Sequence, residues 1–301
     1  MPIILYEDTV GESVRPDGIT LSQLKIEEPL RVALIKQYGS DIVLSPPQTE
    51  AIDQGVLEES GHFLVSAPTN SGKTLIALLR IFQRAMKEGK RSVLAVPLKA
   101  LAEEKAEEIR ELAQLVSDSG GPSLTIQVTT GDYKLHGDFL GSAPPESGEL
   151  IICTPERLDV ILRNPENKEW AQSIDNYIFD EFHLLGERGR GAGMESLLTR
   201  ILLYFPQSSI MGLSATIGGV DKLAGWLGHS GREVKVIQSQ YRYPQLKRKI
   251  VETSDKDDFI LAQIKETLAD LERSLLIFVY RKMDAEKLVN KIGGLLPEEE
   301  N

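Results

Sequence analysis

Short apolar runs of strand length alternate along this chain with stretches in which apolar residues recur every three or four positions. Phe63, Leu64 and Val65 form one such run, and Leu75, Ile76, Leu78, Leu79, Ile81 and Phe82 follow at helical spacing. The first pattern suits a strand buried on both faces, the second a helix with one apolar side. Repeated along the chain, the alternation predicts strands over residues 62–66, 92–96, 124–129, 150–153, 177–179, 210–213 and 234–237. It predicts helices over 72–87, 99–116, 155–162, 194–204 and 220–227. Residues 117–123, with two glycines and a proline, and 141–148, rich in Gly, Ser and Pro, read as loops. Strand followed by helix in regular succession implies an α/β fold with a mainly parallel sheet.

Two short strings placed on this frame carry chemistry. Between the first strand and helix stands APTNSGKT: Ala67, Pro68, Thr69, Asn70, Ser71, Gly72, Lys73 and Thr74. A loop of small residues lets backbone amides close around phosphate oxygens, and the free amides and dipole of the new helix favour an anion at the same place. Lys73 then reaches the β- and γ-phosphates of a nucleotide, and the Thr74 hydroxyl binds Mg²⁺. Ala67 stands where the usual phosphate loop has its first glycine, which removes the freedom of positive φ there. The second string, DEFH at 180–183, restores the reading. Tyr177, Ile178 and Phe179 deliver Asp180 and Glu181 to a strand end, where an aspartate holds Mg²⁺ through water and the adjacent glutamate polarises an attacking water. The competing readings are a Gly-Lys-Thr turn that merely caps a helix and a solvated acidic strand end.

Composition narrows the class. At 301 residues and about 150 per domain, two domains are expected. No apolar run approaches the ~18 residues of a membrane span, and Met1 to Thr9 lacks the basic start of a signal peptide, so a cytoplasmic location is expected. The single cysteine, Cys153, follows Leu150, Ile151 and Ile152; this excludes a disulfide framework and reads as a buried small hydrophobe. A net charge of −11 argues against one broad basic face that coats nucleic acid, while leaving open a local grip through backbone amides and a few basic side chains.

A second unit is expected beyond a connector rich in Tyr, Arg and Pro. Residues 249–251, a helix at 258–271, a strand at 274–280 and a helix at 282–292 follow it, too few for another complete doubly wound domain. The organisation read from the chain is therefore an N-terminal segment (1–40), a first ATP-binding domain (41–238), and a connector with the incomplete start of a second domain (239–301).

Further strings complete a set: LSPPQTEAI at 44–52, VPLKALAEEK at 96–105, TTGDY at 129–133, TPERLD at 154–159 and GLSATIGG at 212–219. Their order and spacing resemble the DExH-box branch of superfamily 2 helicases, specifically the superkiller-like group of archaeal fork-repair DNA helicases and eukaryotic exosome-cofactor RNA helicases. Residues 180–202 and 213–228 look closest to the archaeal DNA-repair members. The resemblance implies a RecA-like P-loop domain followed by the start of a second RecA-like domain. It implies ATP and Mg²⁺ as cofactors, and single-stranded nucleic acid as partner, with DNA favoured over RNA.

Position by position, the resemblance makes Gln48 the reader of adenine, with a polar helix-start residue as the plainer alternative. Pro97, Lys99, Thr130, Gly131, Thr154, Pro155 and Arg157 each fall just after a strand, on the rim that in the family holds the backbone of a single strand. Lys99 and Arg157 read equally as solvated helix charges. Ser214 and Thr216 are the expected link between the γ-phosphate site and that rim, against a local hydroxyl turn. His183 joins the catalytic set with Lys73, Asp180 and Glu181. His62, His136 and His229 have no metal-ligand spacing.

The chain also departs from the family pattern. Complete members have two RecA-like domains, the second supplying arginines that can be worth about 10³ to 10⁵ in rate. Nothing after Phe278 resembles that string. The expectation is an ATPase motor domain of a 3′ to 5′ DNA helicase, turning over slowly by itself, with the remaining helicase domains outside this chain. The alternatives are an RNA helicase of the same branch and a truncated or split ATP-binding module that needs a partner for turnover. A GTPase is disfavoured by the lack of an Asn-Lys-x-Asp string, and a kinase leaves LSAT and TPERLD unexplained.

Overall fold

The structure, a computed structural model, describes residues 3–8, 18–129, 147–215, 218–242, 246–252, 255–268 and 275–293. It divides into two compact units. Ser13–Tyr243 form one, and Met1–Glu12 with Pro244–Asn301 form the other.

The larger unit runs α1 (Glu28–Tyr38), α2 (Pro46–Asp53), β2 (His62–Ser66), α3 (Lys73–Glu88), β3 (Arg91–Ala95), α4 (Lys99–Asp118), β4 (Thr125–Thr129), β5 (Glu149–Cys153), α5 (Pro155–Arg163), α6 (Lys168–Gln172), β6 (Ile174–Phe179), α7 (Gly191–Tyr204), β7 (Ser209–Ser214), α8 (Val220–Gly228) and β8 (Val234–Gln238). The smaller unit holds β1 (Ile3–Asp8), β9 (Leu246–Val251), α9 (Lys256–Leu268) and α10 (Lys282–Gly293).

Seven strands form one sheet in the order β4-β5-β3-β6-β7-β2-β8, and every neighbouring pair is parallel. The chain crosses the sheet in one direction from β2 through α3 and α4, then returns from β5 through α5 to α8. Because parallel crossovers are right-handed, the reversal puts the two sets of helices on opposite faces. Alternating side chains follow suit. Phe63, Val65, Leu94, Ile152, Ile178 and Met211 join the core under α1 to α4, while Leu64, Val93, Ile151, Tyr177, Phe179 and Ile210 join the core under α5 to α8. A sheet buried on both faces is why its strands read as continuous apolar runs. All the carboxyl ends of the strands lie on one edge, as the α/β reading requires.

Cys153 is fully buried, and burial pushes its thiol up to about 12, so it packs as a small hydrophobe. No helix among the described residues is long and apolar enough to cross a membrane.

In the smaller unit, β1 pairs antiparallel with β9, Ile3 opposite Val251 and Asp8 opposite Leu246. Residues 275–279, expected to be a strand, lie in no ladder among the described residues. Leu276 is 78% and Phe278 87% exposed. An apolar run becomes a strand only where another strand meets its backbone groups, and the two described strands of this unit pair with each other.

His62 opens β2 at the amino edge of the sheet and is almost fully buried. The Ile210 backbone N–H donates to its Nδ1 at 3.0 Å, so Nε2 carries the proton toward Ser230 Oγ, also at 3.0 Å. Burial, with the nearby Arg232 and Arg80 charges, lowers its pKa from 6.5 to about 4. The unfolded chain therefore binds more protons between those values, and native stability falls as pH drops from 6.5 towards 4. The stabilisation present above pH 6.5 amounts to about 3 kcal/mol. Denaturant titrations across this range should show that slope in the wild type and lose it in His62→Asn, whose carboxamide can accept the Ile210 bond without titrating; an equal slope in both would remove His62 from the acid response.

Candidate active site

Strand β2 ends at Ser66, and the phosphate loop fills the gap to α3. The Ala67 N–H donates to the Ser214 carbonyl at 3.0 Å, which ties the loop's start to the end of β7. Asn70 has φ 62°, a left-handed turn that asparagine tolerates. Lys73 is the first residue of α3, with Thr74 next, so both stand among the unpaired amides of the helix start. Lys73 Nζ donates to the carbonyls of Ala67 at 2.7 Å and Pro68 at 2.8 Å. Burial lowers the Lys73 pKa, opposed by the Glu181 and Asp180 carboxylates, whose charges reach it across the strand ends. The Ser71 hydroxyl is buried with no hydrogen-bond partner among the described residues.

Gln48 sits in the first turn of α2 and is buried. Its Oε1 accepts from the Ser45 N–H at 2.7 Å, and its Nε2 donates to the Gly72 carbonyl at 3.0 Å. Ser45 Oγ donates to the Ser71 carbonyl at 2.7 Å. The carboxamide thus caps its own helix and braces the phosphate loop, with one proton and one lone pair still to offer. The Ser-x-x-Gln spacing before α2 is the capping-box signature, so the cap is readable in the sequence, whereas the contact with Gly72 is not.

Strand β6 delivers the acidic pair. The Asp180 N–H donates to the Ala95 carbonyl of β3 at 2.8 Å, and Asp180 Oδ1 accepts from the Glu181 N–H at 3.0 Å. Glu181 itself is left-handed, φ 53° and ψ 50°, and turns the chain into the short 3-10 helix Phe182–Gly186. The turn brings the Phe182 ring onto β7, where a Cβ on Gly212 would lie 2.7 Å from the ring. With Phe182 seated there, His183 Nδ1 lies 3.1 Å from Glu181 Oε2 and 3.1 Å from the buried Ser214 Oγ. The two strings and Ser214 are thereby brought together. Thr216 lies outside the described residues.

On the other half of the same edge, Thr154 caps α5, its Oγ1 accepting from the Arg157 N–H at 3.3 Å, and Pro155 is the first residue of that helix. Arg157 Nε donates to Thr129 Oγ1 at 3.1 Å, so this arginine joins the ends of β4 and β5. Pro97 lies between β3 and α4, and Lys99 is exposed as the first residue of α4. Thr130 and Gly131 lie outside the described residues. Arg190, given no role by sequence, donates to the Pro97 carbonyl at 3.0 Å and to Glu156 Oε1 at 2.9 Å. Its string, Glu-Arg-Gly-Arg-Gly, reads as a polar loop, and no spacing reveals partners 93 and 34 positions away.

Fold and site together define a P-loop nucleotide-binding domain with an acidic pair two strands from its phosphate loop. A family model described as DEAD/DEAH box helicase matches residues 45–223, and the chain belongs to this family. The ATP-dependent DNA helicase Hel308 of Pyrococcus horikoshii is 34% identical over 297 residues, covering 93% of this chain and 37% of that protein. Hel308 of Pyrococcus abyssi is 38% identical over 228 residues, covering 76% of this chain and 28% of that one. The chain thus spans well under half the length of these relatives. Among solved structures, the helicase MrfA bound to DNA and AMPPNP superposes with a TM-score of 0.72 at 18% identity, over 98% of this chain and 41% of that one. Mycobacterium smegmatis helicase Lhr bound to ssDNA and AMP-PNP gives 0.65 at 22% identity, over 91% and 36%. At these identities the likeness is one of fold.

A methyl group on Gly212 would lie 2.7 to 2.9 Å from three atoms of the Phe182 ring, so the ring must shift. Gly212→Ala should therefore cost about 1 to 3 kcal/mol, read as a lowered midpoint in urea unfolding. A midpoint equal to wild type would show that the ring does not depend on this seat.

Proposed function

We propose that the chain is the ATP-hydrolysing motor domain of a helicase that moves along single-stranded DNA from 3′ to 5′. The observation that carries this reading is the convergence at one edge of Lys73 with Asp180 and Glu181, and of His183 with Ser214. The phosphate loop, Ala67 to Thr74, closes backbone amides on the phosphates, and the Ser71 hydroxyl, without a partner among the described residues, is a donor suited to one of their oxygens. Lys73 exchanges its two carbonyl partners for the β- and γ-phosphates. Thr74 Oγ1 and, through water, the Asp180 carboxylate are the hard oxygen donors that suit Mg²⁺, which when bound supplies charge neutralisation at the phosphates. Glu181 orients the attacking water and accepts its proton. His183, held between Glu181 and Ser214, passes the state of the nucleotide to β7. Gln48 offers its remaining proton and lone pair to adenine. Pro97, Lys99, Thr130, Gly131, Thr154, Pro155 and Arg157 line the strand's path through helix-start amides, hydroxyls and two cations. DNA is favoured over RNA because the relatives matched over most of this chain are named as DNA helicases.

Ground-state binding and water activation separate by mutation. With a fluorescent ATP analogue and a phosphate-release assay on the 301-residue chain, Lys73→Ala should lose nucleotide affinity about tenfold or more. Glu181→Gln should keep wild-type affinity and lose turnover by about a hundredfold or more. Equal loss of affinity in both would remove Glu181 from the water-activating role.

Base selection rests on Gln48. Gln48→Ala should narrow the preference for ATP over GTP in competition binding, because a lost paired contact in a site built for it changes discrimination more than a lost apolar one. An unchanged preference would leave Gln48 with its cap and loop contacts alone.

A further inference from the structure

Arg190 immediately precedes α7, four residues beyond the turn Phe182–Gly186 that follows the acidic pair. Its guanidinium bridges two other parts of the edge. Nη2 donates to the Pro97 carbonyl at 3.0 Å, and Nε donates to Glu156 Oε1 at 2.9 Å. Pro97 lies in the loop after β3, and Glu156 in the first turn of α5 after β5. One planar fork therefore holds both strand-side loops to the segment that follows β6.

The segment beneath Arg190 is close-packed. A Cβ on Gly191 would lie 2.3 Å from the Leu185 carbonyl oxygen, so the turn and the start of α7 touch backbone to backbone. The Gly191 N–H also donates to the Glu187 carbonyl at 3.0 Å. At the turn's other end stands Glu181 in a left-handed conformation, which non-glycine residues hold only where their surroundings over-determine it. With this packing, a shift of Glu181 would carry the turn, and with it Arg190, as one piece.

We propose that Arg190 is a positioning residue that couples the nucleotide site to the single-strand path, setting the loops after β3 and β5 according to the state of the Glu181 turn. This rests on the functional reading above, in which those loops hold the strand. Arg190 needs no contact with nucleotide or nucleic acid; it acts through the Pro97 carbonyl and the Glu156 carboxylate.

The test is the anisotropy of a labelled oligothymidylate titrated with the 301-residue chain, without nucleotide and with Mg·AMP-PNP, beside AMP-PNP affinity measured with and without strand. In the wild type, AMP-PNP should change strand affinity, and strand should change AMP-PNP affinity by the same factor, as linkage demands. Arg190→Ala should weaken strand binding by roughly fivefold and bring both factors close to one. AMP-PNP affinity in the absence of strand should stay at its wild-type value, a result that general destabilisation does not produce. Arg190→Lys should behave like the alanine variant, since a single ammonium cannot reproduce the fork. Glu156→Ala should cost less, and its effect should not add to that of Arg190→Ala.

If Arg190→Ala fails to fold, Arg190→Lys and Glu156→Ala carry the test. Coupling factors at wild-type values in the Arg190 variants, or a wild-type strand affinity indifferent to AMP-PNP, would overturn the proposal while leaving the strand path intact. A wild-type chain that binds no strand would remove the strand path itself, and the proposal with it.

Discussion

One buried cation fastens the helix behind the phosphate loop to the strand that carries the acidic pair. Arg80, in the middle of α3, is fully buried. Its Nε donates to Asn176 Oδ1 of β6 at 2.6 Å, its Nη1 donates to the Val56 carbonyl, and its guanidinium lies 4.9 Å from the centre of the Phe63 ring of β2. Burial, with the nearby Arg84 charge, brings its pKa down to about 9, opposed by Asp175, so it stays charged at neutral pH. A cation taken out of water costs several kcal/mol unless its donors find acceptors. Nε and Nη1 find acceptors, while Nη2 is buried with none among the described residues. These contacts favour β6, β2 and α3 in this arrangement, and Lys73 at one end of α3 inherits its distance from Asp180 and Glu181 at the end of β6.

Around that fastening the carboxyl edge divides the work between neighbouring strands. The ends of β2, β7 and β6 carry the phosphate loop, Ser214 and the acidic pair, while β3, β5 and β4 carry the loops joined by Arg190 and Arg157. β6 and β3 are neighbours at the middle of the sheet, where the Asp180 N–H meets the Ala95 carbonyl. Strain is concentrated at Glu181, where a left-handed non-glycine residue costs about 1 to 3 kcal/mol. The Phe182 ring on Gly212 and the His183 contact with Ser214 hold it in place.

Periodicity located the elements whose side chains are apolar and whose partners are near. The prediction for β2 matches the structure residue for residue, and α3, α4 and α5 differ by one or two residues at their ends. Strand β6 was read from Tyr177 but begins at Ile174, because Asp175 and Asn176 interrupt the apolar run. Their polarity is answered by Arg84 and Arg80 of α3, charges that a helix pattern assigns to solvent. The phosphate loop and acidic pair were legible because phosphate and Mg²⁺ chemistry demands particular residues at fixed spacing. The role of Gln48 in bracing Gly72, and of Arg190 in bridging Pro97 and Glu156, depends on carbonyl groups, which every residue has and no sequence marks. Strand β1 escaped notice because its partner lies at the far end of the chain.

The pairing of β1 with β9 also sets an order of events during synthesis. Ile3 cannot meet Val251 until the ribosome has made both, on the order of tens of seconds after the first strand emerges at ordinary elongation rates. By the end of that interval the seven-stranded unit has all its strands and can fold, whereas β1, an apolar Ile-Ile-Leu-Tyr run, still waits with unpaired backbone edges. Of the strands described, β1 is thus the one that waits longest for its partner and most needs a chaperone.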